Sequence, residues 1–481
     1  MKGKIMGGRI LRTGMPERHM LLTYAWPILL ELFLTSLIGT ASNYYVNAFS
    51  GDAIAVVGSL SQIVNFVINL YTIISVGGSI LLAPLYGSGK YDRCSNVIRT
   101  MVLGNLIFSL LVSVGATLAA EHLIRMMHIE ERLHSMGMGY LTVCLALSFV
   151  QSMLITLTAV FRSFGWMRTV LVANFTVFGL CLLLNMAIYY WIPSTGQHLW
   201  MYALGGIAGQ LAGVLILALQ LFKWYRTFFR GCCRRNGSGE KSGFKRRHMH
   251  RIGIDLRNSV VLLGKILSYG IYAGSEGLIY LAGLAICTSI MGLLGTRALL
   301  VRSYAGLITG YVEISVSAMA AAVFPRIGQN FGRKDFNGMR CDLREGLRIS
   351  AELTAVVGFA FLMFSKAFLM PFTRDLSVIR DTQVIVALQL FVEVFKVPAA
   401  LGVPALKAIG KTRIPFLLII ISTGIEIVLS YFLGIVCGLG LGGIYLGYAA
   451  DNAFRVVWLY LAWKKYSRDD QADQLLRQVE D

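Results

Sequence analysis

Apolar stretches of twenty or more residues recur along this chain, near 21–49, 53–83, 97–119, 137–160, 167–192, 199–225, 263–291, 298–324, 346–371, 379–404, 414–437 and 441–464. A helix of that length crosses the ~30 Å hydrocarbon core of a bilayer. Backbone polar groups find no water there, so a spanning segment must satisfy them internally, as a helix does. The pattern predicts an all-α polytopic membrane protein with twelve transmembrane helices. Composition agrees, with 56% of residues hydrophobic and 14% charged, against about 25% charged in soluble domains. The basic start "MKGKIMGGRILRTGMPERHM" leads into an apolar stretch too long for a signal peptide and without a small-residue cleavage site, so it reads as the first span.

A net charge of +19 could suggest nucleic acid, but its placement argues for topology. Residues 1–20 hold five Lys/Arg against one acid, and 226–265 hold eleven against Glu240 and Asp255. Other basic residues favour the loops on that same side, while loops 47–53, 191–200 and 437–442 have none. This is the positive-inside pattern, with both termini cytoplasmic. The expected organisation is a tail (1–20), an N-lobe of six spans (21–225), a basic linker (226–262), a C-lobe of six spans (263–466) and a second tail (467–481).

The halves are copies. "FRSFGWMR" (161–168) matches "LKAIGKTR" (406–413), pairing Arg162 with Lys407, Gly165 with Gly410 and Arg168 with Arg413 at an offset of 245. "LYGSGKYDR" (85–93) matches "NFGRKDFNG" (330–338) at the same offset. Six spans per half make the repeat parallel, an arrangement that tends to place substrate between the halves.

The offset also relates Glu276, in "YGIYAGSEGLIY", to Glu31, in "WPILLELFLT". A charge at mid-span costs at least about 2.5–3.5 kcal/mol and marks a functional position by default. Such a carboxylate can bind a proton, coordinate Na⁺ or hold a cationic substrate. Tyr269, Tyr272 and Tyr280 share the helical face of Glu276 and suit an organic cation. The bland alternative is that Glu276 pairs with a base on another helix and fixes packing. Glu393 with Lys396 (i, i+3) and Asp451 with Arg455 (i, i+4) are spaced to pair locally. Glu313 and Glu426 lack such neighbours and remain candidates. Eight scattered cysteines form neither a disulfide framework nor a metal spacing. No nucleotide loop, nucleophile elbow or zinc motif is present, so the chain is not expected to be an enzyme and its energy source should be an ion gradient. No organic cofactor is called for beyond H⁺ or Na⁺, the latter with a possible site near Glu276.

At these stretches the chain resembles the multidrug and toxic compound extrusion (MATE) family of the MOP flippase superfamily. The matching segments include "WPILLELFLTSL", "GDAIAVVGSLSQI", "ISVGGSILLAPLYGSGK", "SYGIYAGSEGLIY" and "ALKAIGKTRIPF". The resemblance implies a V-shaped bundle of two six-helix lobes. It implies antiport of organic cations or amphipathic drugs and toxins against H⁺ or Na⁺, by a monomer in the plasma membrane. It implies small-molecule and lipid partners and no nucleic acid. Glu276 matches the family's acid in span seven, and Glu31 an acid or amide early in span one. The family often has Asp late in span one, where Asn43 stands here, and an amide carries no proton. Many members have proline where this chain has Tyr272. The alternative within the superfamily is a lipid-linked saccharide flippase, with Lys396, Arg302 and Arg455 meeting phosphates.

Overall fold

A computed structural model describes residues 17–49, 51–126, 131–191, 199–235, 256–370, 373 and 375–480. Side chains at 17, 38–55, 126, 131–132, 191, 228–235, 256–257 and 478–480 lie outside that description. The described residues form helices and no strand. In chain order the first half comprises α1 (Glu17–Phe49), α2 (Gly51–Gly87), α3 (Tyr91–Leu118), α4 (Ala120–Met126), α5 (Glu131–Ala146), α6 (Ser148–Ser163), α7 (Met167–Trp191) and α8 (Trp200–Arg235). The second half comprises α9 (Leu256–Gly292), α10 (Thr296–Gly332), α11 (Phe336–Leu369), α12 (Leu376–Ala408), α13 (Arg413–Tyr431), a π turn (Phe432–Val436), α14 (Gly440–Tyr466) and α15 (Asp469–Glu480). The helices flanking the basic linker run into both of its ends.

Ten described helices are long and apolar enough to cross a membrane, and the pair α5–α6 adds an eleventh span. The twelfth is α14, whose apolar run carries Asp451 and Arg455. These two neutralise each other, with guanidinium nitrogens 3.0 and 2.7 Å from the two carboxylate oxygens.

Span four, read from the sequence as one helix, is bent by 41° between α5 and α6. The cause is a side chain inserted at the break. Buried Ser113 of α3 donates to the carbonyls of Leu145 and Ala146, at 2.6 and 2.8 Å. Ser148 also donates to Leu145 O, and Tyr71 meets the Ser148 hydroxyl at 2.6 Å. The carbonyls released by the bend are thus satisfied.

Backbone conformation repeats with the sequence. Gly165 and Gly410 have φ of 79° and 81°, and the turns after α2 and α10 place Gly89 at 75° and Lys334 at 62°. Each pair is 245 residues apart. Glycine adopts this region without strain, and Lys334 does so at a cost of roughly 1–2 kcal/mol.

The lobes meet through α1 and α2 on one side and α9 and α10 on the other. Glycines bring backbones together there. A Cβ on Gly87 would strike the Gln329 carbonyl, and one on Gly332 would strike that of Pro84, two contacts related by the same 245 offset. Gly77 and Gly270 likewise leave no room between α2 and α9.

The buried cores show how the bundle divides. One cluster spans both lobes at the end bearing the basic loops, with Leu21, Leu85 and Phe161 packed with Val323, Phe331 and Leu406. At the opposite end the core splits. Val56, Leu60, Tyr71 and Leu141 form one cluster inside the N-lobe, and Val301, Ile308, Ile385 and Tyr445 another inside the C-lobe. The molecule is joined at its basic face and parted at the base-poor face, a V.

The segment 467–481, read from the sequence as a tail, is mostly the helix α15. Its Ala472, Leu475 and Leu476 are buried in the shared core. It packs on α2 of the N-lobe and on α10 and α14 of the C-lobe. Lys334 anchors it through Asp473 at 2.6 Å, and Arg340 through Asp469 at 3.0 Å.

Candidate functional site

Glu31 and Glu276 each lie near the middle of a long helix, α1 and α9, and each is ion-paired across to another helix. Glu276 Oε2 is 2.6 Å from Lys407 Nζ near the end of α12. Lys407 also donates to the Ala273 carbonyl at 3.1 Å. Glu31 Oε1 is 2.7 Å from Arg162 Nη2 near the end of α6, and accepts from Asn174 Nδ2 at 2.6 Å. The two pairs are one interaction repeated: 31 and 276 differ by 245, and so do 162 and 407. The bases are those aligned in "FRSFGWMR" and "LKAIGKTR", but nothing in their spacing announced that they would meet the acids.

The copies differ in chemistry. Arginine stays charged under all conditions met by a protein, whereas a buried lysine can lose its proton. Glu31 is almost fully buried and has a second donor, and its other oxygen accepts no hydrogen bond among the described residues. Glu276 and Lys407 are 17% and 15% exposed, against 7% for Glu31 and 29% for Arg162. A Na⁺ beside Glu276 would compete with the Lys407 ammonium.

The three tyrosines do not close a cage over Glu276. Tyr272 lies edge-on to Phe416 and beneath the Arg413 guanidinium, 5.3 Å from the ring centre. Tyr269 packs on the shared core. Tyr280 is 43% exposed and within electrostatic reach of Lys396, Glu313, Glu426 and Arg455. Asn43 lies on α1, but its side chain is outside the described residues.

Glu313, expected to lack a close partner, has one. Lys396 of α12 bridges it to Glu393, whose Oε1 lies 3.3 Å from Nζ and also accepts from Gln389 at 2.9 Å. The Asp451–Arg455 pair forms as its spacing suggested, and Arg455 also donates to Ser422 at 2.8 Å. Glu426 is buried, with the Cys287 thiol 3.5 Å away. The C-lobe interior thus carries carboxylates threaded by two cations. The N-lobe interior carries a neutral network instead: Asn105 donates to Ser152 and Thr156, and Thr156 meets Ser75. Lys396 and Arg455 are held by carboxylates, which takes two of the three cations a phosphate-binding flippase cavity would need. Among the described residues no group of three His, Cys, Asp or Glu converges as a metal site.

A sequence model of the MatE family matches the chain twice, over residues 27–191 and 274–432, once in each half. The uncharacterized transporter YisQ of Bacillus subtilis (strain 168) is 24% identical over 472 residues, covering 96% of this chain and 98% of that protein. The probable multidrug resistance protein NorM of Thermotoga maritima is 23% identical over 464 residues, covering 92% and 91%. Among solved structures, an outward-facing multidrug resistance MATE family transporter of the MOP superfamily superposes with a TM-score of 0.83, at 18% identity over 98% of this chain and all of that one. A MOP superfamily transporter from Pyrococcus furiosus, described as having a binding pocket of reverse polarity, gives 0.79 at 19% identity, over 98% and 100%. These likenesses establish the fold.

Proposed function

Because the chain belongs to the MatE family, we propose that it is a secondary antiporter exporting organic cations or amphipathic drugs and toxins by alternating access, driven by re-entry of H⁺ or Na⁺. Membership itself makes the chain a multi-pass membrane transporter and not an enzyme.

The observation that carries the coupling is the repeated ion pair. Each lobe is tied internally by a carboxylate at mid-helix and a base near the end of its fourth span, but the C-lobe carboxylate is the more exposed of the two and is held by a lysine where Glu31 is held by both an arginine and an asparagine. A proton on Glu276 cancels its hold on Lys407 and leaves the ammonium to seek another acceptor. A Na⁺ would do the same by competition. Either event unties α9 from α12 beside the close α2–α9 packing that joins the lobes, so ion binding and lobe movement share one helix. Glu31, held by Arg162 and Asn174, keeps the N-lobe rigid as the other moves.

The basic face lies on the cytoplasmic side by the positive-inside rule, with both termini inside and the V open to the exterior of the plasma membrane. Likeness to an outward-facing transporter supports that orientation. Tyr280 and Glu313, both partly exposed, give a cation an aromatic and an acidic contact.

Purified protein in liposomes tests the reading. An imposed pH or Na⁺ gradient is expected to drive movement of a fluorescent organic cation out of its compartment, and absence of gradient-driven movement under both would contradict the proposal.

A further inference from the structure

The Lys396 ammonium lies where two carboxylates from different spans converge. It contacts Glu313 of α10 and Glu393 of its own helix. Glu393 is 1% exposed. One of its oxygens is shared by Lys396 and Gln389, and the other is buried without a hydrogen-bond partner among the described residues. A carboxylate so buried is held ionised only by a neighbouring cation. Of the other cations nearby, Arg455 is committed to Asp451 and Ser422, and Arg302 acts on Tyr445 and Tyr448 of α14. The groups facing Lys396 from the remaining helices are Tyr280 of α9, Glu426 of α13 and Tyr445 of α14, which add no positive charge.

Without the lysine side chain, Glu313 and Glu393 would present the hard carboxylate oxygens that a small inorganic cation takes. The N-lobe has no such place, since the positions 245 residues before 313, 393 and 396 are Ile68, Ser148 and Gln151. The arrangement is therefore a departure from the repeat, and it is built from side chains that are costly to bury.

We propose that Glu313 and Glu393 form a cation site in the C-lobe and that Lys396 fills it permanently as a tethered ammonium, excluding Na⁺ there. Resting on the antiport reading above, this leaves Na⁺ without a role at that site and confines any coupling Na⁺ to the neighbourhood of Glu276. Substrate approaching Glu313, the exposed member, competes with Lys396 and not with a free ion.

The test is the melting temperature of the purified full-length protein, with NaCl exchanged for equimolar choline chloride. It reads ion binding whether or not transport occurs, so failure of the antiport reading and failure of this one are separable. The parent's response to sodium, which includes any Na⁺ beside Glu276, is the baseline. Lys396→Gln empties the site and should gain a sodium-dependent rise on the order of 2–4 °C, which the added change Glu393→Gln removes. Recovery of Lys396→Gln only when purified in sodium would support the proposal equally. Lys396→Arg keeps the tethered cation and should remain folded with the parent's response to sodium. A larger sodium shift in Lys396→Arg than in the parent, or a folded Lys396→Gln with no larger shift than the parent, overturns the assignment.

Discussion

At the scale of single residues, the two lobes share an ion pair and differ in its base. Removing one partner of a buried pair leaves an uncompensated charge, at about 3–5 kcal/mol when fully buried. The partial exposure of Glu276 and Lys407 reduces that. Glu276→Gln or Lys407→Met alone should each destabilise by ~2 kcal/mol, and the double substitution should recover most of the loss. Thermal melts of the four proteins measure this cycle, and additive losses would show that the two residues do not interact. The acids were legible in the sequence because a charge inside an apolar run is conspicuous and the repeat doubled it. Asp451 with Arg455 was legible because four residues is one turn. The partners of Glu276 and Glu313 were not, since they arrive from helices 131 and 83 residues away in the chain and depend on how spans pack.

At the scale of elements, hydropathy located the spans but could not reveal the bend in span four. That bend is set by Ser113, which lies on a different helix. Ser113→Ala removes the side-chain donor to the Ala146 carbonyl, while Leu145 O keeps Ser148, and should cost about 1–3 kcal/mol, with faster hydrogen exchange at residues 145–150 than in the parent. The Gly332 contact admits no side chain, so Gly332→Leu should separate α10 from α2 and lower the yield of folded protein, whereas Gly115→Leu, with open space around it, should be tolerated.

The helix α15 carries a signal readable in the sequence: Ala472, Leu475 and Leu476 fall on one face at i, i+3 and i+4. Hydrogen bonds from Lys334 and Arg477 hold the Asp473 carboxyl below its ordinary value of 3.8. A depressed pKa contributes stability above the unfolded value and loses it as pH falls through the folded one. Docking of α15 should therefore be independent of pH between 5 and 8, and loosen only below ~4. Proteolysis of the C-terminus against pH measures it, and release between pH 5 and 7 would contradict the assignment.

At the scale of the whole molecule, the repeat was visible in short motifs, and the structure repeats it in backbone angles, glycine contacts and ion pairs. The V shape was not legible from the residues themselves, because one set of apolar helices can pack in more than one way. It emerges from a core shared at the basic face and divided at the other. On the proposed antiport reading the C-lobe carries the coupling chemistry, while the neutral N-lobe network of Asn105, Ser152 and Thr156 supplies a partner of fixed form. The most direct measurement is efflux of a fluorescent organic cation from liposomes under an imposed pH gradient, comparing the parent with Glu276→Gln and Glu31→Gln. The account predicts that Glu276→Gln abolishes gradient-driven transport while the folded Glu31→Gln protein retains it in part. Transport by Glu276→Gln at the parental rate would contradict it.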